Sequence, residues 1–408
     1  MNATAKPMRL SASSYVTFRV CPRLYYWSNV LRFERVREEG ARRFGTMYHA
    51  GLEAWWRFMS GRAPWSQVDE ALVVALKAIA ENARHIQTNS YEVAAAEAMM
   101  TGYHHRYFAM EFQSAVVGDG VESRFEIPLL DEIDGVEIAG WSLVGVNDAL
   151  QEFLENGKTM VVEHKHTASD IDLDSDYWAR LAIDTQSSIY VYAARRLGID
   201  VREVLYDVSK RPGCKPKLAT PIEKRKFTKG KGCKLCGGRA GGKLVVAQGT
   251  GKIMVEVTVS GRVETRETKC SDCEGSGWSV APALHADHRV VDESVDEYKA
   301  RVADEILEDP NAYYRMMELR RNDDQLAECE ADLAMTAGEI SAMAQLSDSR
   351  SDGKLEAASA RKCWPRNTQT CTNIYGRRCD FLDVCSGLAN PWTSPLYQIR
   401  QKKDAVVP

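Results

Sequence analysis

The sequence predicts an α/β protein in which a mixed β-sheet is flanked by helices. Three observations carry this. Apolar residues recur at helical spacing through 11–113, the period drops to two over 121–165, and helical spacing returns at 175–197 before a strand at 201–208. The composition, 44% apolar, 27% charged and 9% aromatic over 408 residues, is that of globular proteins and excludes a fibrous or wholly disordered chain. No apolar run approaches the roughly 18 residues of a membrane span, and the polar start with Lys6, Arg9 and Arg19 lacks the apolar stretch of a secretory leader. A soluble, intracellular protein is expected.

Residues 1–115 read as a helical region, with Tyr15, Phe18, Tyr25, Tyr26, Leu31, Leu52, Trp55, Trp56 and Phe58 marking apolar faces over 11–60, then helices near 66–84 and 90–113. Residues 116–227 hold the sheet. The runs 121–129, 136–146 and 159–165 are short, β-branched and bounded by Gly, Asp and Asn, and a helix at 175–197 stops near Gly198. Residues 228–280 are rich in Gly, Lys and Cys, and two alternating runs around Ser260-Gly261 predict a hairpin inserted into the larger fold. Residues 281–360 are acidic, with helix over 293–345 and a polar linker over 346–360, and 361–408 carry the last cysteines.

Net charge is −4, but its distribution is uneven: residues 1–45 carry nine Lys/Arg against three acids, and 201–245 carry thirteen against three. Such blocks permit a positive groove within a protein of negative total charge. Eleven cysteines in an intracellular chain favour metal binding over disulfides. Cys233, Cys236, Cys270 and Cys273 form two C-x2-C knuckles around the predicted hairpin, followed by glycines that let N–H groups turn toward sulfur. Four thiolates at this spacing fit tetrahedral Zn²⁺, a redox pair being the competing reading, and the basic residues around them suit contact with nucleic acid. Gly249-Thr250-Gly251-Lys252 lacks the preceding Gly and following hydroxyl of a phosphate loop and reads as a turn.

The chemistry-bearing residues come in order. Asp148 follows one strand, and Glu163 and Lys165 share a face of the next, His164 facing away. Two carboxylates on adjacent strands can hold Mg²⁺, and a Lys beside them can orient water or neutralise a phosphate oxygen. Gly45-x3-His49 lies on an earlier helix, and Gln186 and Tyr190, four apart, share a face of the helix after Glu163-x-Lys165.

The succession Cys21-Pro22, Gly45/His49, Gly145/Asp148, Glu163/Lys165, Gln186/Tyr190 and a late cysteine group resembles the PD-(D/E)XK nuclease superfamily, in its RecB-like branch that includes the CRISPR-adaptation exonucleases and phage-encoded relatives. The resemblance covers about 9–210 and 361–390 and implies a restriction-endonuclease-like fold. It implies Mg²⁺ or Mn²⁺ on Asp148, Glu163 and His49 with a further contact from the His164 backbone, a catalytic Lys165, and Gln186 and Tyr190 orienting Lys165 or the strand. Cys21, Cys371, Cys379 and Cys385 match the family's [4Fe–4S] ligands, a structural staple, although Gly376 stands where many relatives have a cysteine. Cys363 competes with Cys371, and thiolates suit Zn as well as Fe–S. The implied activity is a deoxyribonuclease, an exonuclease on single-stranded DNA or duplex ends, in the cytoplasm of a bacterial or phage-infected cell, with any helicase or recombination protein a separate chain. A metal-stapled scaffold that binds nucleic acid without cutting is the alternative.

Overall fold

The computed structural model describes residues 8–36, 40–60, 68–86, 88–108, 114–131, 135–153, 157–237, 248–260, 262–349, 361–372 and 377–400. Two units divide the chain, Met1–Gly213 with Lys299–Pro408, and Cys214–Tyr298. The first begins with β1 (Met8–Leu10) and α1 (Ala12–Val20), whose start is fixed by a reciprocal Ser11/Ser14 cap. The helical stretch expected over 11–60 is interrupted. Cys21 is extended, Pro22 opens the short α2 (Pro22–Tyr25), one π-helical turn spans Tyr26–Val30, and β2 (Phe33–Arg35) precedes α3 (Gly40–Ser60). Proline supplies no N–H to continue a preceding helix but fits the first turn of a new one.

There follow α4 (Val68–Ile86), α5 (Ser90–Phe108), β3 (Ser114–Leu130), β4 (Glu137–Phe153), β5 (Lys158–Thr167), α6 (Asp176–Ala182), α7 (Thr185–Arg196) and β6 (Glu203–Lys210). The single helix expected over 175–197 is two, because Asp184 leaves the helical path and its side chain caps α7 at the Gln186 N–H. The second unit contains β7 (Lys231–Gly232), β8 (Lys252–Val259), β9 (Arg262–Lys269) and β10 (Trp278–Val280), with β8 and β9 forming the expected antiparallel hairpin.

After α8 (Val295–Glu308) and α9 (Pro310–Tyr313) comes β11 (Tyr314–Arg320), then α10 (Asp323–Ser349) and, near the C-terminus, β12 (Tyr397–Ile399). The helix expected across 293–345 is thus broken by a strand. Asp309-Pro310 stops α8, and Arg321, fully buried, then donates to the Leu181 carbonyl, the Tyr206 hydroxyl and Ser188 at 2.8, 2.8 and 3.0 Å. Those bonds seat β11 against β6, a tertiary gain that local periodicity does not encode.

The six-stranded sheet runs β1-β4-β5-β6-β11, with β3 on the other side of β4. Only β1–β4 and β5–β6 are parallel. β3 lines one edge of β4; on the opposite edge β1 pairs with Trp141–Leu143 and β5 with Ala149–Phe153. Among the described residues Val144–Asp148 therefore have no strand partner on that edge, and β4 and β5 diverge there as a fork. Alternation along β6 serves two helical layers: Tyr206 and Val208 enter the core with α1, α7 and α10, while Asp207 and Ser209 bond to Tyr103 of α5 and Tyr48 of α3. At the C-terminal end Trp364 is buried beside the rings of Tyr25 and Tyr26, Arg23 donates to the Trp364 and Pro365 carbonyls, and β12 pairs with β2. Among the described residues no helix is long and apolar enough to cross a membrane.

Candidate active site and metal centres

The two-residue period of β5 sends Glu163 and Lys165 toward α7 and His164 toward α3. Glu163 Oε1 accepts from Lys165 Nζ at 2.8 Å and from Gln186 Nε2 at 2.7 Å; Lys165 also donates to Gln186 Oε1 at 3.1 Å. One turn along α7, the Tyr190 hydroxyl accepts from Gln186 at 3.2 Å. Asp184, which sequence reasoning missed, meets Lys165 at 3.2 Å, and its signal was available as an N-cap residue before Thr185-Gln186. Lys165 loses some charge preference to burial, but Glu163 and Asp184 outweigh this and raise its pKa, so it stays an ammonium.

At the mouth of the fork, Asp148 Oδ1 faces His49 Nε2 at 3.2 Å and Asp148 Oδ2 accepts the His164 backbone N–H at 2.8 Å. The His164 side chain does not join the carboxylates: its Nδ1 bonds to the buried Asp207 at 2.8 Å and its ring packs near Trp56. β4 runs on to Phe153, so Asp148 sits inside a strand. Of the two motif glycines, Gly45 has nothing within 4 Å of where a methyl would stand, whereas at Gly145 that methyl would meet Phe125 Cζ at 2.4 Å and Tyr190 Cε1 at 3.2 Å.

Glu163 is 2% exposed, and among the described residues its Oε2 has no hydrogen-bond partner. Burial, then the Asp148 charge, push its carboxyl up to about 8 against the pull of Lys165. Burial lowers His49, yet the bond to Asp148 and the surrounding carboxylates raise it to about 9. Buried Asp148 is held below its ordinary range, chiefly by the bond to His49. The site concentrates acidic oxygens and one imidazole, a donor set suited to a hard divalent cation. Glu122 completes a group with His49 and Asp148 whose ligand atoms all lie within 4.8 Å of one another. No sequence signal marks Glu122, because its nearness to Asp148 comes from the pairing of β3 with β4 and not from any local pattern.

Cys233, Cys236, Cys270 and Cys273 are all buried and their sulfurs lie within 4.8 Å of one another, with Cys233–Cys270 and Cys236–Cys273 each at 3.7 Å. The Gly277 N–H points at the Cys273 sulfur at 3.3 Å. Gly249 is needed for close approach, since a methyl there would stand 2.4 Å from the Cys236 sulfur. Cys21, Cys371 and Cys379 meet around one loop: the Asn367 N–H points at the Cys21 sulfur at 3.4 Å, the Cys371 thiol at the Asn367 carbonyl at 3.7 Å, and the Cys379 N–H donates to the Cys371 carbonyl at 2.9 Å. Burial first, then the fields of Cys385, Cys371 and Cys21, push the Cys379 thiol up to about 11. Cys363 is partly buried against the main core; Gly376 lies outside the described residues.

No curated protein matches the chain. A family model, that of the PD-(D/E)XK nuclease superfamily, matches residues 9–386. That span contains the forked strands, the Glu163-x-Lys165 pair and both cysteine groups, and the chain belongs to the PD-(D/E)XK nuclease superfamily, whose members are metal-dependent phosphodiester hydrolases.

Proposed function

We propose that the chain is a deoxyribonuclease of the RecB-like, iron–sulfur branch, an exonuclease acting on single-stranded DNA or duplex ends. The observation that carries this reading is the fork, where Lys165, locked by Glu163, Gln186 and Asp184, faces the same opening as Asp148 and His49. Glu163 Oε2, buried without a partner, is the atom a cation would satisfy. Asp148, Glu163 and His49 would hold Mg²⁺ or Mn²⁺, which when bound polarises a phosphodiester and lowers the pKa of water. Lys165 neutralises charge on the phosphate or orients the attacking water, and Gln186, bonded to both Lys165 and Glu163, fixes the two in register.

The strand gap in β4 opens into a groove of about 940 Å³ lined by Arg9, Ser11, Arg124, Val144, Gln186 and Tyr190. Arg124, an apolar floor and the Tyr190 ring suit a single nucleic-acid strand, while Arg9 is paired with Glu126 at 2.8 Å across the same groove. In the second unit, the 3.7 Å sulfur spacings match the about 3.8 Å separation that 2.3 Å Zn–S bonds in a tetrahedron require, which supports Zn²⁺ there. The terminal set is not drawn together in this way, and a [4Fe–4S] cluster on Cys21, Cys371, Cys379 and Cys385 is the reading we favour, tying together points about 350 residues apart in the chain. A helicase or recombination protein would be a separate partner.

The test is digestion of end-labelled single-stranded DNA by anaerobically purified protein with Mg²⁺ or Mn²⁺, beside Glu163→Ala and Lys165→Ala. Metal-dependent cleavage that falls at least about 10³-fold in both variants is expected. Binding without cleavage, identical in wild type and variants, would replace this reading with the non-cutting scaffold.

A further inference from the structure

The second unit carries its charge in two different ways. On the β8–β9 hairpin, Lys252 meets Glu267 at 2.9 Å and Arg266 meets Glu264 at 3.2 Å. Residues 224–234 instead hold six basic residues and no acid. Arg225 turns inward and donates to the Thr220 and Val290 carbonyls at 2.8 and 3.2 Å. The other five, Lys224, Lys226, Lys229, Lys231 and Lys234, are exposed and make no ion pair among the described residues.

This strip is seated on a partner segment. The His285 N–H donates to the Lys226 carbonyl at 2.8 Å, the Thr228 N–H to the Ala283 carbonyl at 2.7 Å, and the Cys233 N–H to the Gly277 carbonyl at 2.9 Å. At Gly230 a methyl would stand 2.8 Å from the Trp278 ring and from Pro282, so the two segments approach closely. The Phe227–Leu284 bridge and the Lys231–Val280 pair lie four residues apart on both segments and share one antiparallel register. The two-residue period then places Phe227 and Lys231 on the same face. Phe227 is 60% exposed there, and Val280, across from Lys231, is 52% exposed. An exposed apolar side chain is ordinary by itself. Here the ring stands on a held strand among five unmatched cations.

We propose that residues 224–234 are a binding surface for single-stranded nucleic acid, with Lys226, Lys229 and Lys231 meeting phosphates and Phe227 stacking on a base. The deoxyribonuclease reading enters only in naming the polyanion. Alternate residues of an extended chain stand about 6–7 Å apart, close to the phosphate repeat of an extended strand. The ring selects a single strand, because the bases of a duplex already stack on one another. Lysines supply affinity without sequence preference, and the ring adds contact that salt does not screen.

The experiment follows the anisotropy of an end-labelled oligothymidylate bound to full-length protein, its cysteine sites loaded, without added Mg²⁺ or Mn²⁺ and over a range of salt. Replacing Lys226, Lys229 and Lys231 together by Gln should lower the slope of log K against log salt by about 2. Phe227→Ala should weaken binding about 5- to 150-fold with the slope unchanged, and Phe227→Trp should restore it. All variants should keep the metal content of the cysteines, since the altered side chains are exposed, and their cleavage rate at saturating substrate should match wild type. Affinity and slope equal to wild type in the triple variant would overturn the surface. A lowered slope with Phe227→Ala binding as tightly as wild type would overturn the stacking contact and with it the single-strand assignment. Failure of wild type to cut DNA with either metal, while these binding changes appear, would instead overturn the nuclease reading and leave the surface standing.

Discussion

At the scale of single residues, protonation and cation binding compete at the fork. Glu163 titrates near 8 in the fold and His49 near 9, each above its ordinary value. At these two groups the metal-free fold binds more protons than the unfolded chain, and their contribution to stability is lost as pH rises, from about 4.5 through 8 for Glu163 and from about 6.5 through 9 for His49. A cation takes the deprotonated forms. Its binding at pH 7 should release protons, and affinity should climb with pH up to about 9. Calorimetric titrations of Mn²⁺ in buffers of differing ionisation enthalpy measure this directly: wild type should show proton release that diminishes in Glu163→Gln. A buffer-independent enthalpy in wild type would contradict the assignment.

At the scale of elements, the site depends on how β4 passes α7. A methyl at Gly145 would press on the Phe125 ring and on Tyr190, so Gly145→Ala should destabilise the protein by about 1–3 kcal/mol and slow cleavage by displacing Tyr190 from Gln186. Gly45→Ala meets open space within α3 and should raise stability by about 0.5–1 kcal/mol. Urea unfolding of the two variants separates a close-packed glycine from one that fills no tight space. The same scale shows what could be read from the sequence. His49, Asp148, Glu163, Lys165, Gln186 and Tyr190 were legible as a group because each belongs to a short pattern and the patterns follow one another in order. Glu122 was not, since it belongs to no short pattern and comes close to Asp148 only through the pairing of β3 with β4. β11 departs from the helix its sequence suggests because its seven residues carry no clean alternation and gain their strand pairing from β6. Asp207 carries no local signal either, although it is wholly buried and bonds to His164 and Tyr103, because burial of an acid is decided by partners far along the chain.

At the scale of the molecule, the two ends of the first unit hold each other. Trp364 is 1% exposed beside the Tyr25 and Tyr26 rings, and β12 adds to β2. Trp364→Ala removes the centre of this packing and should cost about 3–5 kcal/mol in urea unfolding. The effect should appear even in protein whose terminal thiolates carry no metal, because the aromatic packing does not depend on them. Loss of stability confined to metal-loaded protein would instead assign the clasp to the cysteines.

The position of β11 also has a consequence for the order of assembly on the ribosome. β6 is complete at Lys210, but the strand that covers its free edge begins only at Tyr314. At translation rates of roughly 5–20 residues per second, that edge waits roughly 5–20 s for its partner. Meanwhile Cys214–Tyr298 emerges and can close on its own four cysteines. An uncovered strand edge is a template for pairing with other chains. Nascent chains of this protein thus pass through an interval of exposure to self-association, its length set by the size of the unit inserted between β6 and β11.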